Sequence, residues 1–133
     1  VRLGEGGNVV NVTILSGTLS SDPVWRSLPS GSDAVSLEVT TESAFESRAT
    51  VPVSVVGPRR VRELERLVTG DQVLVVGETR RRFFRSGAGT GSRTEVRASQ
   101  VIPASQRTRV TSALLEVASV VGGAVDRELL FGT

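Results

Sequence analysis

Over two stretches of the chain, apolar side chains recur with a period of two. Val35, Leu37 and Val39 alternate with Ser36, Glu38 and Thr40, and Val51, Val53 and Val55 repeat the pattern after a short polar connection over 42–49. Such alternation predicts strands with one buried face. Residues 9–19 (VVNVTILSGTL) mix β-branched and polar side chains and read as a longer strand, with Gly17 marking a bend or bulge. Pro23, Pro29 and Gly31 make 20–34 a loop or wide turn. The period then changes. Over 59–68, Val61, Leu64, Leu67 and Val68 form one stripe of a short helix, with Thr69-Gly70 as its C-cap. Residues 71–84 predict a long strand, 85–93 a Gly/Ser-rich hairpin loop and 94–102 the returning strand.

The order β-β-β-α-β-β predicts an all-β protein with minor α, specifically a five-stranded OB-fold Greek-key barrel over 9–104. Residues 1–8 are Gly-rich and read as a flexible arm. A C-terminal extension over 105–133 returns to helical spacing, with Val110, Leu114, Val117 and Val121 on one face of a helix over 107–121. Gly122-Gly123 should end or kink that helix, and 124–131 could add another turn or two. The helix either packs on its own barrel or builds an oligomer interface. The first is favoured, because a small barrel benefits from cover.

Composition removes most catalytic chemistry. The chain has no Cys, His, Met, Tyr or Lys among its 133 residues. Zinc, copper and haem sites, Cys/His or Ser/His/Asp nucleophilic centres and lysine Schiff bases are therefore excluded. The four Asp and ten Glu show no spacing that gathers a hard cation. The expectation is a protein without cofactor or metal that is not an enzyme. No signal-peptide pattern and no membrane-spanning run appears, so a cytoplasmic, nucleoid-associated protein is expected.

Charge is more informative by position than in total. The net charge is +2, and all sixteen basic residues are Arg. Residues 80–97 contain Arg80, Arg81, Arg82, Arg85, Arg93 and Arg97 against Glu95 alone, a net of +5 that leaves the rest of the chain at −3. A basic stripe on an otherwise acidic chain suits phosphate binding by counterion release. In a strand, Arg80, Arg82 and Phe84 share one face, while Arg81, Phe83 and Arg85 share the other. Two guanidiniums followed by a ring offer a stacking platform beside phosphate ligands.

Residues 14–31 (ILSGTLSSDPVWRSLPSG) carry Gly17, Leu19, Asp22, Pro23, Arg26, Pro29 and Gly31 in a G-x-L, D-P-x-x-R, P-x-G order. Gly57, Gly70 and Gly77 follow, and then GETRRRFFRSGAGTGSRTEV with Thr94, Glu95 and Val96. Over 9–104 this ordered set resembles the bacterial single-stranded DNA-binding protein family. The resemblance implies that Phe84 stacks on a base, that Arg80 and Arg82 line the same path and that Arg26 lies near it. It also implies a homo-oligomer, a dimer or tetramer, that wraps a single strand without reading its sequence.

The departures from that family are specific. Thr50 and Val56 stand where aromatics are common, and Phe45 is the candidate substitute. Trp25 either anchors its loop or touches DNA. The chain ends in a helix and ELLFGT rather than a Gly/Pro/Gln-rich linker with an acidic, Phe-terminated peptide. The expected function is sequence-independent binding of single-stranded DNA in replication, repair or recombination. Arg26, Arg80, Arg82, Arg85, Arg93 and Arg97 would meet phosphates, and Phe84 and Phe45 would stack bases. The alternative is an OB-fold interaction module that joins replication or repair proteins and binds DNA weakly or not at all.

Overall fold

The computed structural model describes residues 10–45, 47–57 and 62–124. Six strands and one helix follow in the order β1 (Thr13–Leu19), β2 (Val24–Ser27), β3 (Asp33–Thr41), β4 (Ala49–Val56), β5 (Gln72–Ser86), β6 (Gly89–Pro103) and α1 (Arg107–Ala124). The protein is mostly β with minor α, as expected, and the described residues hold one long helix. The arm over 1–8, part of the short helix (59–61) and the turns expected beyond Ala124 lie outside the described residues.

The alternating segments fold as read. Val35, Leu37, Val39, Val53 and Val55 are buried in one cluster with Leu19, Val73, Val75, Val96 and Val101. β3 and β4 pair antiparallel from Ala34↔Val56 to Thr41↔Ala49. β5 pairs with β1 and β6, β6 runs parallel to β4, and β1 reaches β3 through Thr18↔Thr40 and Leu19↔Val39. The pairings thus lead from β1 through β5, β6, β4 and β3 back to β1. Gly17 makes the last step possible, because a Cβ there would strike the Thr40 carbonyl oxygen.

Three boundaries differ from the sequence reading. First, β1 begins at Thr13 rather than residue 9. Asn11 prolongs the contact with its side chain, which donates to Thr79 O at 2.8 Å and accepts from Thr79 N–H at 3.1 Å. Second, the expected loop over 20–34 contains β2, which pairs with β3 from Val24↔Ser36 to Ser27↔Asp33. All four of its residues are exposed, so no alternation betrays it. Third, most of the expected hairpin loop over 85–93 is strand. The β5–β6 ladder runs out to Ser86↔Gly89, leaving a two-residue turn at Gly87 and Ala88.

The stretch expected to be a short helix is described from Arg62 onward. It forms turns closed by Glu65 N–H to Arg62 O and Leu67 N–H to Leu64 O, and it buries Leu64 and Leu67 in the core. Gly70 ends it at φ 94°, a left-handed conformation that favours glycine, and donates to Leu19 O. Asp22 ties this end to the loop after β1 by accepting from Thr69 N–H at 2.8 Å and Thr69 Oγ1 at 2.7 Å. These two bonds hold the Asp22 carboxyl below its ordinary pKa of 3.8.

α1 packs on the protein's own sheet. Ala113 and Val117 are buried with Leu74, Val76 and Ile102, flanked by Val110, Val120 and Val121. The small Ala113 sits in the contact while Leu114, expected there, is 41% exposed. The described helix includes Gly122 and Gly123 and runs to Ala124. A helix held by packing tolerates residues of poor intrinsic propensity.

Candidate nucleic-acid interface

Register places the basic residues. On β6, Val96 and Ala98 point into the core, so Glu95 and Arg97 point away from it. Their partners on β5 are Arg80 opposite Glu95 and Glu78 opposite Arg97. On β4, Val53 and Val55 are in the core, so Ser54 faces outward, beside Arg97 in the parallel register. On β2, Arg26 pairs with Ala34, which pairs with Val56. One outward face therefore collects Arg26, Val56, Ser54, Arg97, Glu95 and Arg80 from four strands.

A bulge sets this alignment. Val76 pairs with Gln100 and Gly77 with Ala98, so Ser99 is the extra residue, and its Oγ donates to Val76 O at 3.0 Å. The extra residue switches which β6 side chains face the core, from Val101 to Ala98 and Val96, and so turns Arg97 and Glu95 outward. Gly77 is required there, because a Cβ would meet the Arg97 carbonyl oxygen and Ala98 Cα.

Among the described residues, β5 and β6 pair only with each other from Arg80↔Glu95 outward. Two-stranded ribbons twist strongly. Arg81 and Phe83, from the opposite face of β5, consequently line the same cleft as Arg80, Arg82, Arg97, Glu95, Arg26, Leu28, Ser54 and Val56. The cleft has a volume of about 450 Å³. Arg82 Nη1 lies 3.9 Å from Glu95 Oε2, a long contact to the one buried carboxylate among the described residues. Among the described residues, Arg26, Arg80, Arg81 and Arg97 have no ion-pair partner. Four unpaired guanidiniums in one cleft repel each other and attract an anion, and the low-dielectric walls strengthen that field.

The expected site residues divide into three groups. Arg26, Arg80, Arg82 and Arg97 come together in the cleft. Phe84, Arg85 and Arg93 lie further out on the hairpin, opposite Gly91, Thr90 and Arg82 respectively. Phe84 rests on Gly91, where a Cβ would stand 2.8 Å from its Cζ, and remains 44% exposed. Phe45, in the β3–β4 connection, is almost wholly exposed and does not line the cleft. Arg81, Phe83 and Ser54 are cleft residues that the sequence reading did not assign. Phe83, at 71% exposure, is the more open of the two hairpin rings. Its signal was the doubled Phe-Phe, which puts one ring on each face of the strand.

The missing aromatics also have structural readings. Thr50 shares a hydrogen bond of 3.0 Å with Thr40 across the β3–β4 pair, and Val56 is an apolar wall of the cleft. No helix among the described residues is long and apolar enough to cross a membrane, and none of their acidic side chains cluster in a way that could hold a metal ion. No protein-family model matches the chain, and neither does any curated protein.

Proposed function

We propose that the protein binds single-stranded DNA without reading its sequence, through the arginine cleft and the exposed rings of the β5–β6 hairpin. The observation that carries this reading is the convergence of Arg26, Arg80, Arg81 and Arg97, all without ion-pair partners among the described residues, beside the exposed ring of Phe83. Guanidiniums bind phosphate oxygens in bidentate geometry, and rings stack on any base because every base has a π-face. Phe84 extends the stacking surface toward the hairpin tip, with Arg85 and Arg93 as outer phosphate contacts. In this reading the ring of strand pairings is an OB-fold Greek-key barrel, the chain belongs with the bacterial single-stranded DNA-binding proteins it resembles, and it acts as a homo-oligomer in the cytoplasm during replication, repair or recombination. It needs no cofactor, and it holds strands rather than reacting with them.

A duplex keeps its bases stacked inside, so the rings would gain nothing from it. Fluorescence anisotropy with labelled oligothymidylates of increasing length, competed by unlabelled duplex, tests the proposal. Tight, length-dependent binding that duplex displaces poorly is the expected result. Equal affinity for duplex would reduce the cleft to a non-specific polyanion site.

A second reading, a protein-interaction module, draws on α1. Leu115 is 67% exposed on the helix face turned away from the sheet, and Leu114, at the flank of the packed face, is 41% exposed. A partner seated there would bind with little dependence on salt, unlike a nucleic acid.

A further inference from the structure

Ser54 is the one described residue with a buried side-chain polar atom that lacks a hydrogen-bond partner. It is 4% exposed, lies on β4 beside Arg97 of β6, and lines the arginine cleft. A buried hydroxyl without a partner is unfavourable, and strands tolerate valine well at such a position. A hydroxyl kept there beside a guanidinium has a use when an acceptor enters the cleft.

We infer that Ser54 and Arg97 form a discrete phosphate subsite at the floor of the cleft, flanked by Arg26 and Arg80. The inference rests on the nucleic-acid reading for the source of the phosphate, and on the geometry alone for the anion itself. Ser54 Oγ–H turns toward the anion and donates to one oxygen, and Arg97 offers its two-pronged fork to the others. Glu95, buried on the same face, lies 3.9 Å from Arg82 and leaves Arg97 without an ion-pair partner among the described residues. The cleft volume of about 450 Å³ accommodates a phosphate together with its ester substituents. Either an internal phosphodiester or a terminal phosphate of the strand supplies the group.

The full chain, uniformly labelled with nitrogen-15, is titrated with inorganic phosphate and, at matched ionic strength, with sodium chloride. The amides of Ser54 and Arg97 should shift saturably with phosphate only. Ser54→Ala removes the hydroxyl without removing any hydrogen bond of the free protein, so it should melt no lower than wild type. Ser54→Ala should weaken phosphate binding by about tenfold, the loss of one hydrogen bond to a charged group, and Arg97→Gln, which removes the charge and both prongs of the fork, by at least as much. Both should weaken oligothymidylate binding by a similar factor. Oligonucleotides with and without a 5′-phosphate separate the two sources: a preference for the phosphorylated end marks a terminal group, and equal binding an internal one. No phosphate-specific shift in the wild type, or the same shift in both variants, overturns the subsite. If oligothymidylate binds but Ser54→Ala and Arg97→Gln bind it as wild type does, the subsite fails and the DNA reading stands. If phosphate shifts both amides and no oligonucleotide binds, the DNA reading fails and the anion site stands.

Discussion

Replacing Phe84 with alanine separates two roles that the ring plays at once. One side of the ring rests on Gly91 across the ladder, and 44% of the residue stays open. Fully burying a phenylalanine contributes about 1.5–3 kcal/mol, so a ring roughly half covered contributes about 1 kcal/mol to folding. That corresponds to a fall of about 4 °C in the melting temperature of a domain this size. The open side should stack on a base, worth about 1–3 kcal/mol, which is about 5- to 150-fold in Kd. Anisotropy titrations with oligothymidylate, oligoadenylate and a mixed sequence should show the same loss on all three, since stacking is tolerant of base identity. Phe83→Ala supplies the comparison: at 71% exposure it should cost less stability, and its ring lies in the cleft itself. Wild-type affinity in both variants would refute the stacking role of the hairpin. A loss confined to one base type would refute sequence independence.

Gly77→Ala forces a methyl against backbone atoms on β6 that cannot swing aside, and should destabilise the fold by about 3 kcal/mol in denaturant titration. Val117→Asp places a charge in the buried contact of α1 with Leu74, Val76 and Ile102 and should cost about 3 kcal/mol or more, whereas Leu115→Asp, on the exposed side, should change stability by under about 0.5 kcal/mol. Asp22 has a lower pKa folded than unfolded, so its hydrogen bonds to Thr69 stabilise above the ordinary value of 3.8 and are lost as pH falls through the folded value. Thr69→Val, which removes the hydroxyl bond that contributes most to the shift, should therefore lower stability at neutral pH and flatten its decline in acid, as followed by thermal melts from pH 7 to pH 2.

The parts of the fold that were legible in the sequence are those where burial alternates. Val35, Leu37, Val39, Val53 and Val55 declare their strands because each second side chain enters the core. β2 stayed hidden because its four residues are all exposed and its hold on β3 is made by backbone. The hairpin tip misled for a similar reason: Gly, Ser and Thr are common in loops, but the ladder to Ser86↔Gly89 uses main-chain groups that composition does not reveal. On α1, Leu114 and Ala113 exchange the roles that hydrophobicity alone suggests, since close approach to Val76 and Ile102 selects the smaller residue.

The candidate site was half legible. The charge count located the hairpin, and period two put Arg80 and Arg82 on one face. It could not show that twist brings Arg81 and Phe83 into the same cleft, or that Ser54 arrives there from β4, because both depend on pairing between distant segments. Asp22, part of the D-P-x-x-R pattern, proves to be a tie between two loops rather than a cleft residue.

The central claim is that the arginine cleft binds the backbone of a single strand, and the dependence of affinity on salt measures that most directly. Each phosphate neutralised contributes about −0.7 to the slope of log K against log[salt] for single strands, so the five cleft arginines contribute about −3.5 and the outer contacts Arg85 and Arg93 about −1.4 more. Arg80→Gln with Arg82→Gln should flatten it by about 1.4. A slope near zero, or one unchanged in the double variant, would contradict the account.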